Sequence, residues 1–357
     1  MKKIAIEEHC YTPYYLEFLQ TRKKYPKVES ITDKKGQKSW KWWHSAEEYM
    51  TWLPPAVVAK LCDVGKIRLK DMDEAGIDTQ VLSFNTNVDY LDAEEAIKLT
   101  KKVNDLFAAA IKKNPERFVG FAAVYLRDPK AAADELERAV KQLGFKGTMI
   151  LSHCNGEFLD GKKYWPFFAR AAKLNAPVYI HPVRPPLERV KQYAGYRELA
   201  GPMWGFAAET GLTAMRLICS GIFDEYPNLK IILGHMGEAL PFWMTRLDNR
   251  MLSRAYGSSL TNLEVKRGVD GTRLSDKLKK LPSQYIRDNF FITISGMQSN
   301  PALICALLAL GADKILFAVD YPFEENKETV DFMEQAPISE GDKEKIYHLN
   351  AEKLFKL

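Results

Sequence analysis

The stretch KIAIEEHCY, residues 3–11, decides the fold class. It opens as a short β-branched run, the pattern of a buried strand, and then runs directly into Glu7, Glu8, His9 and Cys10. A doubly wound nucleotide-binding sheet needs a glycine-rich phosphate turn at this point. A polar strand ending suits a barrel, whose strands deliver reactive side chains from their C-terminal ends.

Seven further runs repeat the theme: TQVLSFN (79–85), FVGFAAV (118–124), GTMILSH (147–153), PVYIHP (177–182), KIILGHMG (230–237), FFITISG (290–296) and ILFAVDYP (315–322). Segments of helical periodicity lie between most of them, among them 92–114, 129–144 and 300–311, the first and last closing on Asn114 and Gly311. This alternation predicts one α/β domain over residues 1–357, a (β/α)8 TIM barrel with long insertions at about 10–70, 183–225 and 238–288. The first insertion carries Trp40, Trp42, Trp43 and Trp52, and reads either as a lid against a flat apolar substrate or as packing onto the barrel or a partner. Residues 241–257 of the third read as an oligomer arm.

Composition narrows the class. With 46% hydrophobic and 27% charged residues, the chain has material for a large core. Its net charge of +5 is scattered and forms no basic stripe, so no nucleic-acid partner is expected, while a small anionic substrate is compatible. No run approaches the roughly 18 apolar residues of a membrane span, and residues 1–13 lack a signal-peptide core, so the expectation is a cytoplasmic protein. The five cysteines (Cys10, Cys62, Cys154, Cys219, Cys305) are widely spaced, which argues against disulfides and a cysteine-ligated zinc.

Of six histidines, four (His9, His153, His181 and His235) fall at the C-terminal ends of the runs, and Asp320 occupies the same place in the eighth. Glu7 and His9 are two apart on a strand, so they share a face, and Glu8 points the other way. With His181 and Asp320 they supply two carboxylates and two imidazoles, a set suited to one divalent ion, zinc or manganese. Any one of these histidines alone reads first as a hydrogen-bonded core residue; their joint position on one rim favours ligation. His153 stays open between the two readings. His235 with Glu238 three residues on reads as an acid/base pair, or Glu238 reads as a first-turn carboxylate of the next helix.

Taken in order, IEEH (6–9), RLKDMDEAGID (68–78), YIHP (179–182), WGFAAETG (204–211), the run from Ser220 to Asp248, and ILFAVDYPFE (315–324) resemble the amidohydrolase superfamily. The specific likeness is to its aromatic-acid decarboxylase branch, which includes γ-resorcylate, 2,3-dihydroxybenzoate, salicylate and 5-carboxyvanillate decarboxylases. The resemblance implies a divalent metal held by Glu7, His9, His181 and Asp320, with His235 and Glu238 beside it and Arg246 on the substrate. It also implies non-oxidative decarboxylation of an ortho-hydroxylated aromatic acid by a homodimer or homotetramer. Ala318 departs from the serine of several relatives, and His153-Cys154 matches no family site.

Within that frame Asp320 is the expected proton donor, Arg184 or Arg246 the counter-charge, and Tyr321 or Phe323 the ring neighbour. Arg68 is a second candidate for the substrate carboxylate, or a helix-surface charge. The rival reading is a mononuclear metal-dependent hydrolase of a lactone or amide with His235 or Asp320 as base. A binding protein without chemistry is a third, disfavoured because an abandoned site has no reason to keep converging charges.

Overall fold

The computed structural model describes residues 1–32, 36, 38–45, 49–84, 86, 88–253 and 272–357. Eight strands form one parallel sheet: β1 (Ile4–His9), β5 (Thr79–Ser83), β6 (Phe118–Ala122), β7 (Gly147–Leu151), β8 (Val178–His181), β9 (Ile231–Leu233), β10 (Phe290–Thr293) and β11 (Ile315–Leu316). They neighbour one another in chain order. The sheet closes where Ile6 N donates to Phe317 O (3.2 Å), Asp320 N to Glu7 O (3.0 Å) and His9 N to Tyr321 O (2.8 Å). Helices fill the crossovers, such as Ala93–Lys113, Pro129–Gln142 and Asn300–Leu310, so the chain is a (β/α)8 barrel.

Two apolar layers follow from strand alternation. Ile4, Ile6, Val81, Phe121, Met149, Tyr179, Ile232, Leu316 and Ala318 fill the interior, with Phe355 packed against Phe121 at 5.5 Å. Ala5, Leu82, Ile150, Val178, Ile180, Ile231 and Leu233 belong to the larger outer layer beneath the helices.

One irregularity positions the site. Ala5 pairs with Gln80 but Glu8 pairs with Leu82, so Ile6 and Glu7 oppose Val81 alone in a β-bulge. Simple alternation would carry the inward set Ile4, Ile6 on to Glu8. The extra residue moves Glu7 and His9 inward and turns Glu8 outward.

The 10–70 segment holds elements of its own: the helix Pro13–Thr21 and an antiparallel sheet of β2 (Lys27–Thr32), β3 (Lys38–Ser45) and β4 (Tyr49–Leu53). Trp42 is buried, 5.8 Å from Tyr11 just past β1, which matches packing onto the barrel for this one, whereas Trp43 donates to Glu29 (2.9 Å) within the inserted sheet. Tyr11, two residues past the C-terminal end of β1, meets Trp42 of β3, so the inserted sheet stands beside the barrel's C-terminal rim. The side chain of Trp52, Asn85 of the second run, and residues 254–257 of the expected arm lie outside the described residues.

Two boundaries are corrected. The 183–225 insertion is shorter than expected, because Gly205–Cys219 is an ordinary crossover helix between β8 and β9. The last strand pairs regularly only over Ile315–Leu316, and by Asp320 the backbone has turned left-handed (φ 79°).

Candidate active site

The bulge in β1 aims Glu7 and His9 at the barrel axis. There they meet His181, two residues beyond the inward Tyr179, and Asp320, two beyond the inward Ala318. One ligating atom from each lies within 4.8 Å of all the others. His181 Nε2 is 3.4 Å from Glu7 Oε1, and His9 Nε2 is 2.7 Å from Asp320 Oδ1.

The free valences are informative. Glu7 Oε1, His9 Nε2 and Asp320 Oδ1 are buried yet make no hydrogen bond. The last two stand 2.7 Å apart within the same four-donor cluster. Each unpartnered buried group costs about 1–3 kcal/mol, so three in one place call for an ion. The far ring nitrogens are occupied: His181 Nδ1 contacts Pro182 O at 2.7 Å, and His9 Nδ1 contacts Ser83 Oγ at 3.2 Å. Nδ1–H of His181 therefore donates to the carbonyl and leaves Nε2 with its lone pair inward. Burial drives the His181 pKa well below its usual value, which keeps it neutral for ligation. Two imidazoles and two carboxylates fit a borderline divalent cation such as zinc or manganese.

Glu7 is held from β10. Ser295 Oγ donates to Glu7 Oε2, as does Thr293 Oγ1 at 3.3 Å, and Thr293 contacts Tyr179 OH at 3.3 Å. Ser295 Oγ also accepts from His235 N at 3.4 Å. One carboxylate oxygen is thus committed to hydroxyls while the other faces the cluster. Gly234 makes room: a Cβ there would lie 2.9 Å from Tyr179 OH and 3.3 Å from Glu7. Sequence reading missed these hydroxyls, although Thr293 and Ser295 alternate in FFITISG as inward residues should.

His235 begins a left-handed turn. His235, Met236, Gly237, Glu238 and Ala239 have φ of 51°, 57°, 76°, 53° and 62°, a conformation costing roughly 1–2 kcal/mol per non-glycine residue. The turn folds Glu238 back so that its Oε1 lies 3.0 Å from His235 Nδ1. The next helix starts only at Leu240, so Glu238 is a partner of His235 and not a first-turn carboxylate. Burial opposes the charged imidazole, but Glu238 and Glu7 outweigh it and raise the His235 pKa well above normal. Its Nε2 lies 3.9 Å from Asp320 Oδ2. Burial also works to raise the Asp320 carboxyl, yet His235 and His9 hold it below the usual range.

Other expected residues sort by burial. Phe323 is half-exposed with its ring 5.8 Å from that of His9, at the mouth. Arg184 lies partly exposed on the loop past β8. Arg246 is exposed on the helix Leu240–Leu252 and makes no ion pair with the cluster. Both ring nitrogens of His153 are engaged, by Arg184 O (2.8 Å) and Gly156 N (3.1 Å), which makes it a framework residue.

Two expectations are corrected. Arg68 is fully buried, and its guanidinium donates to His9 O (2.6 Å), Asp63 O (3.1 Å) and Gln80 Oε1 (3.0 Å) while stacking on Tyr321 at 4.5 Å. Gln80 in turn donates to the outward Glu8 (3.0 Å), whose other oxygen accepts from Val319 N (3.0 Å). Arg68 therefore clamps the closing seam of the barrel and is not placed to meet a substrate. Tyr321 is likewise buried outside the barrel, its hydroxyl donating to Asp71 at 2.9 Å, and cannot flank a ring in the mouth.

Residues 59–259 and 266–357 match the family model described as amidohydrolase. The chain is 38% identical over 363 residues to γ-resorcylate decarboxylase of Polaromonas sp. (strain JS666 / ATCC BAA-500), covering 99% of this chain and 98% of the relative. A dihydroxybenzoic acid decarboxylase from Polaromonas sp. JS666, solved with manganese and 2-nitroresorcinol, superposes with a TM-score of 0.80 at 36% identity, covering 100% and 97% of the two chains. The 5-carboxyvanillate decarboxylase of Novosphingobium aromaticivorans DSM 12444, solved with manganese and 4-hydroxy-3-methoxy-5-nitrobenzoic acid, superposes at 0.81 with 31% identity, covering 100% and 96%. The barrel, its converging donors and these relatives agree: the chain belongs to the amidohydrolase family, within its branch of aromatic-acid decarboxylases.

Proposed function

We propose that this protein is a metal-dependent, non-oxidative decarboxylase of an ortho-hydroxylated aromatic carboxylic acid, with Glu7, His9, His181 and Asp320 holding one divalent ion. The observation that carries the reading is the convergence of three buried, unpartnered donor atoms on one point beside the His235–Glu238 pair. Its relatives are decarboxylases, which favours this chemistry over hydrolysis of a lactone or amide. When bound, the ion supplies Lewis acidity and a template for the carboxylate and ortho oxygen of the substrate.

The residues then divide the work. Asp320, ionised among imidazoles, takes the phenolic proton of the incoming acid and delivers it to the ring carbon that bears the carboxylate. The bond to the carboxyl carbon breaks, carbon dioxide leaves, and its electron pair restores the aromatic ring; the phenolate recovers a proton from water. His235, oriented by Glu238, donates to a substrate oxygen. Phe323 covers the ring, and Arg184 and Arg246 balance the negative charge of the substrate.

Exposed Met203, Trp204, Phe242 and Trp243 support self-association as a homodimer or homotetramer, which sedimentation would measure. No described helix is long and apolar enough to cross a membrane. Five free cysteines suit a reducing compartment and support a cytoplasmic location.

The test combines metal analysis of the purified protein with a panel of 2,6- and 2,3-dihydroxybenzoate, salicylate and 5-carboxyvanillate, read as carbon dioxide release. Carbon dioxide from at least one acid, dependent on zinc or manganese, is expected. Turnover of lactones alone would reject the reading.

A further inference from the structure

Gly296, just past β10, has a left-handed φ of 58° and stands between two polar side chains. A Cβ at this position would lie 3.1 Å from His235 Cδ2, 3.7 Å from His235 Nε2 and 3.8 Å from Glu324 Oε1. The absent side chain therefore leaves Glu324 and the reactive edge of His235 facing one another across the mouth. Glu324 is brought there by the turn after Asp320, where its N–H donates to Asp320 O at 3.2 Å.

Glu324 is partly buried, yet its carboxyl has no hydrogen bond or ion pair among the described residues. Its neighbour Glu325, by contrast, approaches Lys60 at 4.0 Å. A carboxylate at the mouth without a protein partner has its oxygens open to a donor that enters beside His235.

We propose that Glu324 sets substrate choice: it accepts a hydrogen bond from a ring hydroxyl on the His235 side and repels a second carboxylate at that edge. On this basis the protein takes polyhydroxylated monocarboxylic acids and discriminates against dicarboxylated phenols of the 5-carboxyvanillate kind. This inference rests on the decarboxylase reading above. Charge carries the discrimination, since a carboxylate meets a hydroxyl donor favourably and a like charge unfavourably.

The experiment compares wild type with Glu324→Gln, both loaded with manganese, on 2,6-dihydroxybenzoate and 5-carboxyvanillate. Wild type should favour the dihydroxy acid in kcat/KM by about tenfold or more, as expected for a hydrogen bond to a charged group. Glu324→Gln should narrow that preference by about tenfold, through opposite changes in KM for the two acids, with metal content and Tm unchanged. An unaltered preference in the variant, or a wild-type preference for the dicarboxylate, overturns the proposal. If wild type releases carbon dioxide from neither acid nor from 2,3-dihydroxybenzoate or salicylate, the decarboxylase reading fails by itself. The ratio of the two dissociation constants, measured by calorimetry in both proteins, then decides the role of Glu324: a ratio that does not change in the variant rejects it.

Discussion

His9 Nε2 and Asp320 Oδ1 lie 2.7 Å apart at opposite ends of the chain and share no hydrogen bond. Their proximity is imposed by barrel closure, since His9 N donates to Tyr321 O and Asp320 N to Glu7 O across the seam. Asp320→Asn keeps the shape and removes the proton carrier. Turnover should fall by at least about a thousandfold, on the scale of losing a group that acts in the transition state. Dissociation constants for the substrate should change far less, and single-turnover kinetics with calorimetry would separate the two. A variant with undiminished turnover would contradict the assignment.

Ser295 touches both Glu7 and the backbone of His235, so it should set metal affinity without contacting substrate. Ser295→Ala is expected to weaken manganese binding by about 10–100-fold, the usual range for a group that orients a ligand, and Ser295→Thr to restore part of it. Metal titration followed by electron paramagnetic resonance reads this directly. Equal affinities in wild type and Ser295→Ala would remove Ser295 from this role.

Glu238→Gln should lower kcat by about 10–100-fold while leaving metal content intact, because the amide can still bond His235 Nδ1 but no longer supports its positive charge. Steady-state kinetics alongside metal analysis checks it. A rise in KM alone would assign Glu238 to substrate binding.

Arg68 predicts a loss of stability and not of substrate affinity. Arg68→Met leaves the His9 and Asp63 carbonyls and Gln80 without their donor, which should cost about 3–5 kcal/mol, as for a broken buried charged network. Lys cannot reproduce the planar fork and should rescue little. Denaturant unfolding measures the loss, and the KM of whatever fraction folds should match wild type.

Asp89, buried beside Leu126 N (3.2 Å), has its pKa pushed up to about 6, chiefly by burial. Because the folded state holds this proton more tightly than the unfolded chain, Asp89 favours folding at low pH. That contribution is lost as pH rises from about 4 through 6, at roughly 1.4 kcal/mol for each pH unit crossed. Asp89→Asn, which keeps the acceptor, should therefore gain stability relative to wild type as pH rises across this window. A stability difference that stays flat from pH 4 to 7 would show that Asp89 titrates normally.

Much of this was legible in the chain. The alternation of β-branched runs and helical segments marks the barrel, because strands and crossover helices each leave a period in the sequence. Scarce histidines at His9, His181 and His235, together with Asp320, mark the rim because catalytic groups sit at strand ends. The inserted sheet at 27–53 was not legible as a sheet, since its tryptophans serve a lid and a packed ribbon equally well.

Local periodicity fixed the order of the elements and the residues that could reach the axis, since it depends only on neighbours along the chain. Tertiary contact decided the rest. The bulge that turns Glu7 and His9 inward depends on pairing with β5, and the burial that makes Arg68 a clamp depends on the seam beside Tyr321. Ser295, which meets both Glu7 and the backbone of His235, comes from a strand end that reaches them only when the barrel closes. A side chain's role is set by which dielectric and which donors surround it, and those come from residues hundreds of positions away.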